Sequence, residues 1–394
     1  MPPANRHRLF TASRVALIVT AMSFAIRGDT MAAVGVRFSL TDAQLGWIGG
    51  TAFWGFTLAM IVGGPLCDFF GMKRIMFVAF FCHLLGLLVT ICSNGFAMLY
   101  VGTLLIGIGN GSVEAVCNPL IATMYPEEKT KRLNHFHVWF PGGIVIGGLV
   151  AFALTQVNVG WRYKVCTMLL PLVVYGWMFF GQAMPKTERV QAGISAKHMF
   201  SACLRPLFLL MLACMLLTAS TELGPEQWIP DILTGSAKVP GILVLVWING
   251  LMAIGRQSAG PVVHRLAPTG MLLFSAVFAT IGLWWLSFAQ GGVMTFAAAT
   301  VFAIGVCYFW PTMIGFTSER NPRTGALGLA LMGGMGNLAV SFVLPYMGDI
   351  KDHDGGPAAL RAAGVLPIIL IFVFGALWLA DRSRGGYKAE KIGN

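Results

Sequence analysis

A chain of 394 residues that is 56% hydrophobic and 11% charged, with a mean hydropathy of +0.74, has too little polar surface to face water on all sides, which excludes an ordinary soluble protein. At roughly 20 apolar residues per bilayer crossing there is room for about a dozen helices and none for a large soluble domain. The formal charge of +11 needs no nucleic-acid partner, because basic residues of membrane proteins collect on the cytoplasmic side during insertion.

The first apolar span covers residues 14 to 36. Arg6-His7-Arg8 ahead of it resembles the start of a secretion signal, but no small-residue cleavage site follows and Arg27 interrupts the run, so it is read as a permanent span. Arg27 and Asp29 stand two residues apart, on different faces of a helix, and each is expected to find a partner on another helix. Gly64-Pro65-Leu66-Cys67-Asp68-Phe69-Phe70-Gly71-Met72-Lys73-Arg74 is a loop between the second span, 43 to 66, and the third, 74 to 93. The fourth, 96 to 123, carries Glu114 among Gly107, Gly109, Gly111 and Ser112, small residues that admit a neighbouring helix or a ligand. A desolvated carboxylate there suits either the loading and release of a proton or a permanent pairing with Arg27.

The fifth span, 137 to 156, opens with His137 and Trp139 and contains Gly142-Gly143 and Gly147-Gly148, read as a seam for close helix packing. The sixth covers 164 to 184, and the polar stretch from Pro185 to Arg205 reads as a linker. In the seventh, 206 to 231, Glu222-Leu223-Gly224-Pro225-Glu226-Gln227-Trp228 predicts a break or kink at Gly-Pro that frees backbone groups for a ligand. Glu226, one turn further, fits an outer gate or a bland surface role. Five more spans follow at 240 to 263, 269 to 289, 293 to 317, 324 to 346 and 358 to 380. Tyr308 and Trp310 precede Pro311 in the tenth, and Gly333-Gly334 with Gly336 form a seam in the eleventh. Trp228 and Trp310 are placed to stack on a sugar ring, whereas Trp161 and Trp139 fit a membrane interface.

With this layout only Arg37, Arg162, Lys164, Lys238, Lys351 and Arg361 fall outside. Both termini are therefore expected in the cytoplasm, with the chain in a bacterial inner membrane. The eight cysteines lie mostly within spans and show no CxxC spacing, so neither a disulfide framework nor a metal site is implied.

An offset of 196 relates Gly28 to Gly224, Gly64 to Gly260, Pro65 to Pro261, Gly109 to Gly305 and Pro126 to Pro322. The shared offset predicts an all-α polytopic membrane protein of twelve transmembrane helices in two pseudo-symmetric six-helix bundles, 1–184 and 206–394, joined by a cytoplasmic linker over 185–205. Interrupted segments at matching places put the expected site between helices one and seven.

Gly64, Leu66, Asp68, Gly71, Lys73 and Arg74 match the G-x-L-x-D-R-x-G-R-[KR] loop of the major facilitator superfamily, which the chain resembles. Phe69 and Met72 stand where that family has arginines, which thins the loop's charge network. The resemblance implies the major facilitator fold and alternating access. It also implies that Gly64, Asp68, Gly71, Lys73 and Arg74 serve gating, with Asp68 pairing to basic groups in one conformation and releasing them in another. Glu114-Ala115-Val116-Cys117-Asn118-Pro119, then Tyr125-Pro126-Glu127, Lys129 and Leu133-Asn134, resembles the fourth helix and following loop of the fucose and related sugar-proton symporters. Asp29 followed by Phe38-Ser39-Leu40-Thr41 resembles their first helix and loop. This narrower likeness covers helices one to five and implies that Asp29 and Glu114 form an acid pair for substrate binding and proton coupling.

The expected function is secondary active transport of a small polar solute, a sugar, by proton-coupled symport. Its substrate and proton residues are Arg27, Asp29, Glu114, Asn118, His137, Glu222, Trp228 and Trp310, and buried acids outnumber buried bases. One alternative uses Arg27 to hold an organic anion or sugar acid, since guanidinium matches carboxylate and phosphate. The second half offers Glu222 where a matching arginine would stand, which counts against a doubly charged substrate. Another alternative is a drug or metabolite proton antiporter. The absence of HExxH and GxSxG points away from an enzyme. No cofactor is expected beyond a proton gradient, and the partners are the solute and the lipid bilayer, with the chain monomeric.

Overall fold

In the computed structural model, residues 5–125, 129–186, 201–257 and 259–390 are described, and the side chains of residues 68, 129–131, 134, 259–265, 318, 322, 325 and 326 lie outside that description. Pro126, Glu127 and most of the expected linker therefore fall outside it. The chain divides into two compact units, Met1–Ile194 and Ser195–Asn394.

Helices dominate the first unit. Helix α1 (Arg6–Phe38) starts where Asn5 accepts a hydrogen bond from the backbone N–H of Arg8 (3.0 Å) and ends at Ser39 in the left-handed region. A reciprocal Thr41–Gln44 capping box then opens α2 (Asp42–Phe70), satisfying two orphan backbone donors at once. Gly71, at φ +83°, is the one residue between α2 and α3 (Met72–Ile91). The stretch expected as a loop from residue 64 is thus mostly the end of α2, helical through Pro65. The unit continues with α4 (Phe96–Met124), α5 (Lys129–His137), α6 (Trp139–Gln156), α7 (Trp161–Cys166) and α8 (Leu169–Phe179).

The second unit contains α9 (Pro206–Ser236), α10 (Gly241–Gln257), α11 (Ala259–Phe288, interrupted at Ala267), α12 (Gly291–Val306), α13 (Phe309–Arg320), α14 (Gly325–Asp354), α15 (Gly356–Ala363) and α16 (Val365–Ser383). Among the described residues ten helices are long and apolar enough to cross a membrane. The two remaining expected spans are α7 with α8, separated by a turn, and α10, which is shorter.

Small residues bring the backbones together. A Cβ on Gly107 would stand 2.7 Å from the Cα of Ala52, and one on Gly111 2.9 Å from the Cα of Phe56, so α4 lies against the backbone of α2. In the second unit a Cβ on Gly305 would stand 2.7 Å from the Cα of Ala279, which seats α12 on α11 in the same manner. The glycines flanking Glu114 therefore admit a helix, not a ligand. The seam expected in the fifth span runs through Gly143 and Gly147 against α1, and that of the eleventh through Gly336 against α9.

Breaks occur where the sequence did not announce them. Helix α9 runs unbroken through Gly224-Pro225 and Pro230. Each proline removes a single N–H, leaving the carbonyl four residues earlier without its helical donor, while burial from Thr218 to Pro230 holds the helix on either side. The interruptions lie instead at Thr167–Met168, Cys307–Tyr308 and Gly364.

Candidate functional site

Arg27 and Asp29 leave α1 in different directions, as their spacing requires. The Arg27 guanidinium lies over the rings of Phe24 (4.9 Å) and Phe53 (5.6 Å), and the residue is partly exposed. Seating of this kind is attractive to a cation through the ring quadrupole. Arg27 also borders a cavity of about 50 Å³ shared with Ser23, Thr30, Thr90 and Thr103. Apolar side chains complete its lining, among them Ile26, Met31, Leu45 and Trp161.

Asp29 does not join Glu114 in an acid pair. Its carboxylate takes a hydrogen bond from Lys164 Nζ at 2.6 Å, both side chains being 10% exposed, and Lys164 also donates to Thr155 Oγ1 at 2.7 Å. Lys164 is buried at the start of α7, not free on the outer rim as the span boundaries suggested. Losing one partner of such a pair leaves an uncompensated charge. Lys164→Met is accordingly expected to lower stability by about 3–5 kcal/mol, with most of it regained in Lys164→Met/Asp29→Leu, measured as denaturant unfolding in detergent.

Three expected residues do come together. Asn118 Nδ2 donates to Glu114 Oε2 at 2.8 Å, one turn earlier on α4, and Asn118 Oδ1 lies 3.0 Å from His137 Nε2 at the end of α5. With its amide nitrogen committed to the carboxylate, Asn118 must accept from the imidazole, so His137 carries its proton on Nε2. The trio can present donors and acceptors to a solute hydroxyl.

In the second unit Glu222 is bound by Arg256, Nη2 to Oε1 at 2.8 Å, and Arg256 Nε donates to the Cys307 carbonyl at 2.9 Å. That carbonyl sits at the break between α12 and α13. This half has no arginine at the place matching Arg27, but Arg256, near the end of α10, reaches inward to Glu222. Lys164 and Arg256 offset two of the acids, and the excess of buried acids over bases persists among the described residues, with Glu114, Glu222, Glu226 and Asp381 buried as against Lys164. Glu226, expected at a gate or the surface, is 2% exposed beside Asn249. Trp228 is fully buried, donates from Nε1 to the Leu344 carbonyl at 3.2 Å and lies under Lys351, so its ring cannot stack on a solute. Trp310 remains partly exposed.

Of the expected gating residues, Gly64 lies inside α2, Gly71 makes the turn, and Lys73 and Arg74 are exposed at the start of α3; the side chain of Asp68 lies outside the described residues.

A further polar chain crosses the first unit. Tyr175 and Asn110 bracket His83, with Nδ1 2.9 Å from Tyr175 Oη and Nε2 2.8 Å from Asn110 Oδ1, and Asn110 Nδ2 donates to Ser23 Oγ at 3.0 Å. These residues lie on α8, α3, α4 and α1, and no spacing in the sequence relates them. The signal for Lys164 was more accessible: Asp29 demanded a base at its depth, and Lys164 opens the sixth span.

Residues 12–344 match the family model described as Major Facilitator Superfamily. Over 384 residues the chain is 24% identical to the 3-(3-hydroxy-phenyl)propionate transporter of Escherichia coli, covering 93% of each. It is 26% identical over 175 residues to the gentisate transporter of Corynebacterium glutamicum, covering 42% of this chain and 38% of that one. The solved xylose transporter XylE from E. coli, in a partially occluded inward-open conformation, superposes with a TM-score of 0.79 at 13% identity, covering 94% of this chain and 97% of that chain.

Proposed function

As this chain belongs to the Major Facilitator Superfamily, it is an integral membrane transporter and not an enzyme, and we propose that it carries small organic anions whose carboxylate is taken by Arg27. The observation that carries this reading is the seating of Arg27 on two phenyl rings at the border of a cavity that it shares with Ser23, Thr30, Thr90 and Thr103. A carboxylate meets a planar fork in bidentate fashion, and the body of an organic acid finds apolar lining in Ile26, Met31 and Leu45. Two of the similar proteins are named for carboxylates, 3-(3-hydroxy-phenyl)propionate and gentisate. Because Asp29 and Glu222 are already spent on Lys164 and Arg256, the buried acids argue less for a sugar than their number suggested.

The proposed mechanism is alternating access with proton symport, in a bacterial inner membrane, by a monomer with both termini cytoplasmic. A proton accompanying the anion cancels its charge, which lowers the electrostatic cost of crossing. The second reading, transport of a neutral sugar or polyol, is favoured by the Glu114–Asn118–His137 trio, whose hydrogen-bonding groups match hydroxyls.

Proteoliposomes offered benzoate, phenylpropionate, succinate and hexoses at two external pH values separate the two. The carboxylate reading expects uptake of the monoacids that rises as the outside is acidified and is indifferent to hexoses. Uptake of a hexose that no carboxylate competes with would establish the second reading in its place.

A further inference from the structure

In the second unit two buried carboxylates, Glu222 and Glu226, share one arginine, Arg256. Glu222 and Glu226 lie one turn apart on α9, 4% and 2% exposed, where side chains four residues apart are neighbours. From α10 they face Arg256 and Asn249, and from the α12–α13 break Cys307, while the neighbouring Tyr308 gives its hydroxyl to the Gly255 carbonyl. The other cation of this region, Lys351 on α14, is held by Asp231 at 2.8 Å. Arg256 binds Glu222 through Oε1 and gives its Nε to the Cys307 carbonyl. Glu222 Oε2 and Glu226 Oε1 are both buried without a hydrogen-bond partner. A buried acceptor without a donor is costly, and two adjacent carboxylates with one guanidinium leave one negative charge uncompensated.

One proton resolves both deficits, and we propose that Glu222 and Glu226 form a site for a single exchangeable proton, with Glu226 carrying it and Arg256 keeping Glu222 ionised. A proton from water bonds to a Glu226 oxygen and turns an orphan acceptor into a donor. When that O–H bond breaks, the proton leaves and the carboxylate keeps the electron pair. We assign this proton as the one that accompanies the transported anion, a role that rests on the proton-coupled reading above, whereas its residence on Glu226 does not.

Infrared difference spectra of the purified full-length transporter across a pH change, together with uphill uptake in proteoliposomes, test the two parts separately. The protonated-carboxyl stretch should be present in the wild type and lost in Glu226→Gln, an isostere of the protonated form. Glu222→Gln should lose it as well, because Arg256 then faces Glu226 and ionises it; this variant gives the same answer should the first fail to fold. Uphill accumulation driven by a pH gradient should fall at least tenfold in Glu226→Gln, while exchange of labelled for unlabelled substrate persists. A carboxyl signal unchanged in both variants overturns the inference. Loss of the signal with accumulation intact upholds the proton site and overturns its coupling role.

Discussion

Arg27→Gln is expected to abolish concentrative uptake of organic carboxylates while leaving the protein folded. Glutamine keeps length and polarity but supplies neither charge nor a forked donor, so a carboxylate entering the site would be desolvated without compensation. Removing one partner of a buried, hydrogen-bonded charge pair costs about 3–5 kcal/mol, which corresponds to a fall in uptake efficiency of roughly 10²- to 10⁴-fold. Arg27→Lys should fall between the two, since the charge survives but bidentate geometry and the flat stacking on Phe24 and Phe53 do not. Thermal unfolding of the detergent-purified variants, expected to stay near the wild type, separates a binding defect from a folding one. Equal uptake by the arginine and glutamine proteins would remove Arg27 from the substrate's path.

The second large effect is structural. Gly107→Val should prevent assembly of the first unit, and Gly305→Val the second. At both positions the added atoms would enter the backbone of the neighbouring helix, Ala52 for Gly107 and Ala279 for Gly305, and a backbone cannot change rotamer to make room. Overpacking a well-filled core costs typically about 1–3 kcal/mol and more where nothing can yield, a large part of a marginal stability. The measurement is the yield of monodisperse protein on size exclusion in detergent. Gly64→Val, where a Cβ meets nothing within 4 Å, serves as the control that should assemble normally.

Hydropathy and the repeated turn were enough to foresee an all-helical membrane chain, because bilayer thickness fixes the length of each apolar run. Residues related along one helix were also legible: Glu114 and Asn118, four apart, do meet, and Arg27 and Asp29, two apart, do diverge. What spacing could not reveal was partnership between helices distant in sequence, such as Asp29 with Lys164 or Glu222 with Arg256. Lys164 stood near the end of an apolar run and was read as a rim charge, although a long cationic side chain can reach a considerable depth. Pro225 misled for a related reason. A proline deletes one hydrogen bond, but whether the helix then breaks depends on its neighbours, and here they hold it straight through.

Lys164 discharges onto Asp29, Lys351 onto Asp231, and Arg162 onto the carbonyls of Ile91 and Ser93. Around these pairs Arg37 in the first unit and Lys238 and Arg361 in the second stand exposed, as do Lys73 and Arg74, and Arg382 and Arg384, elsewhere in the same units. Anionic phospholipid should therefore be held by the exposed bases of each unit and pass over the paired ones, whose charge is already met within the protein.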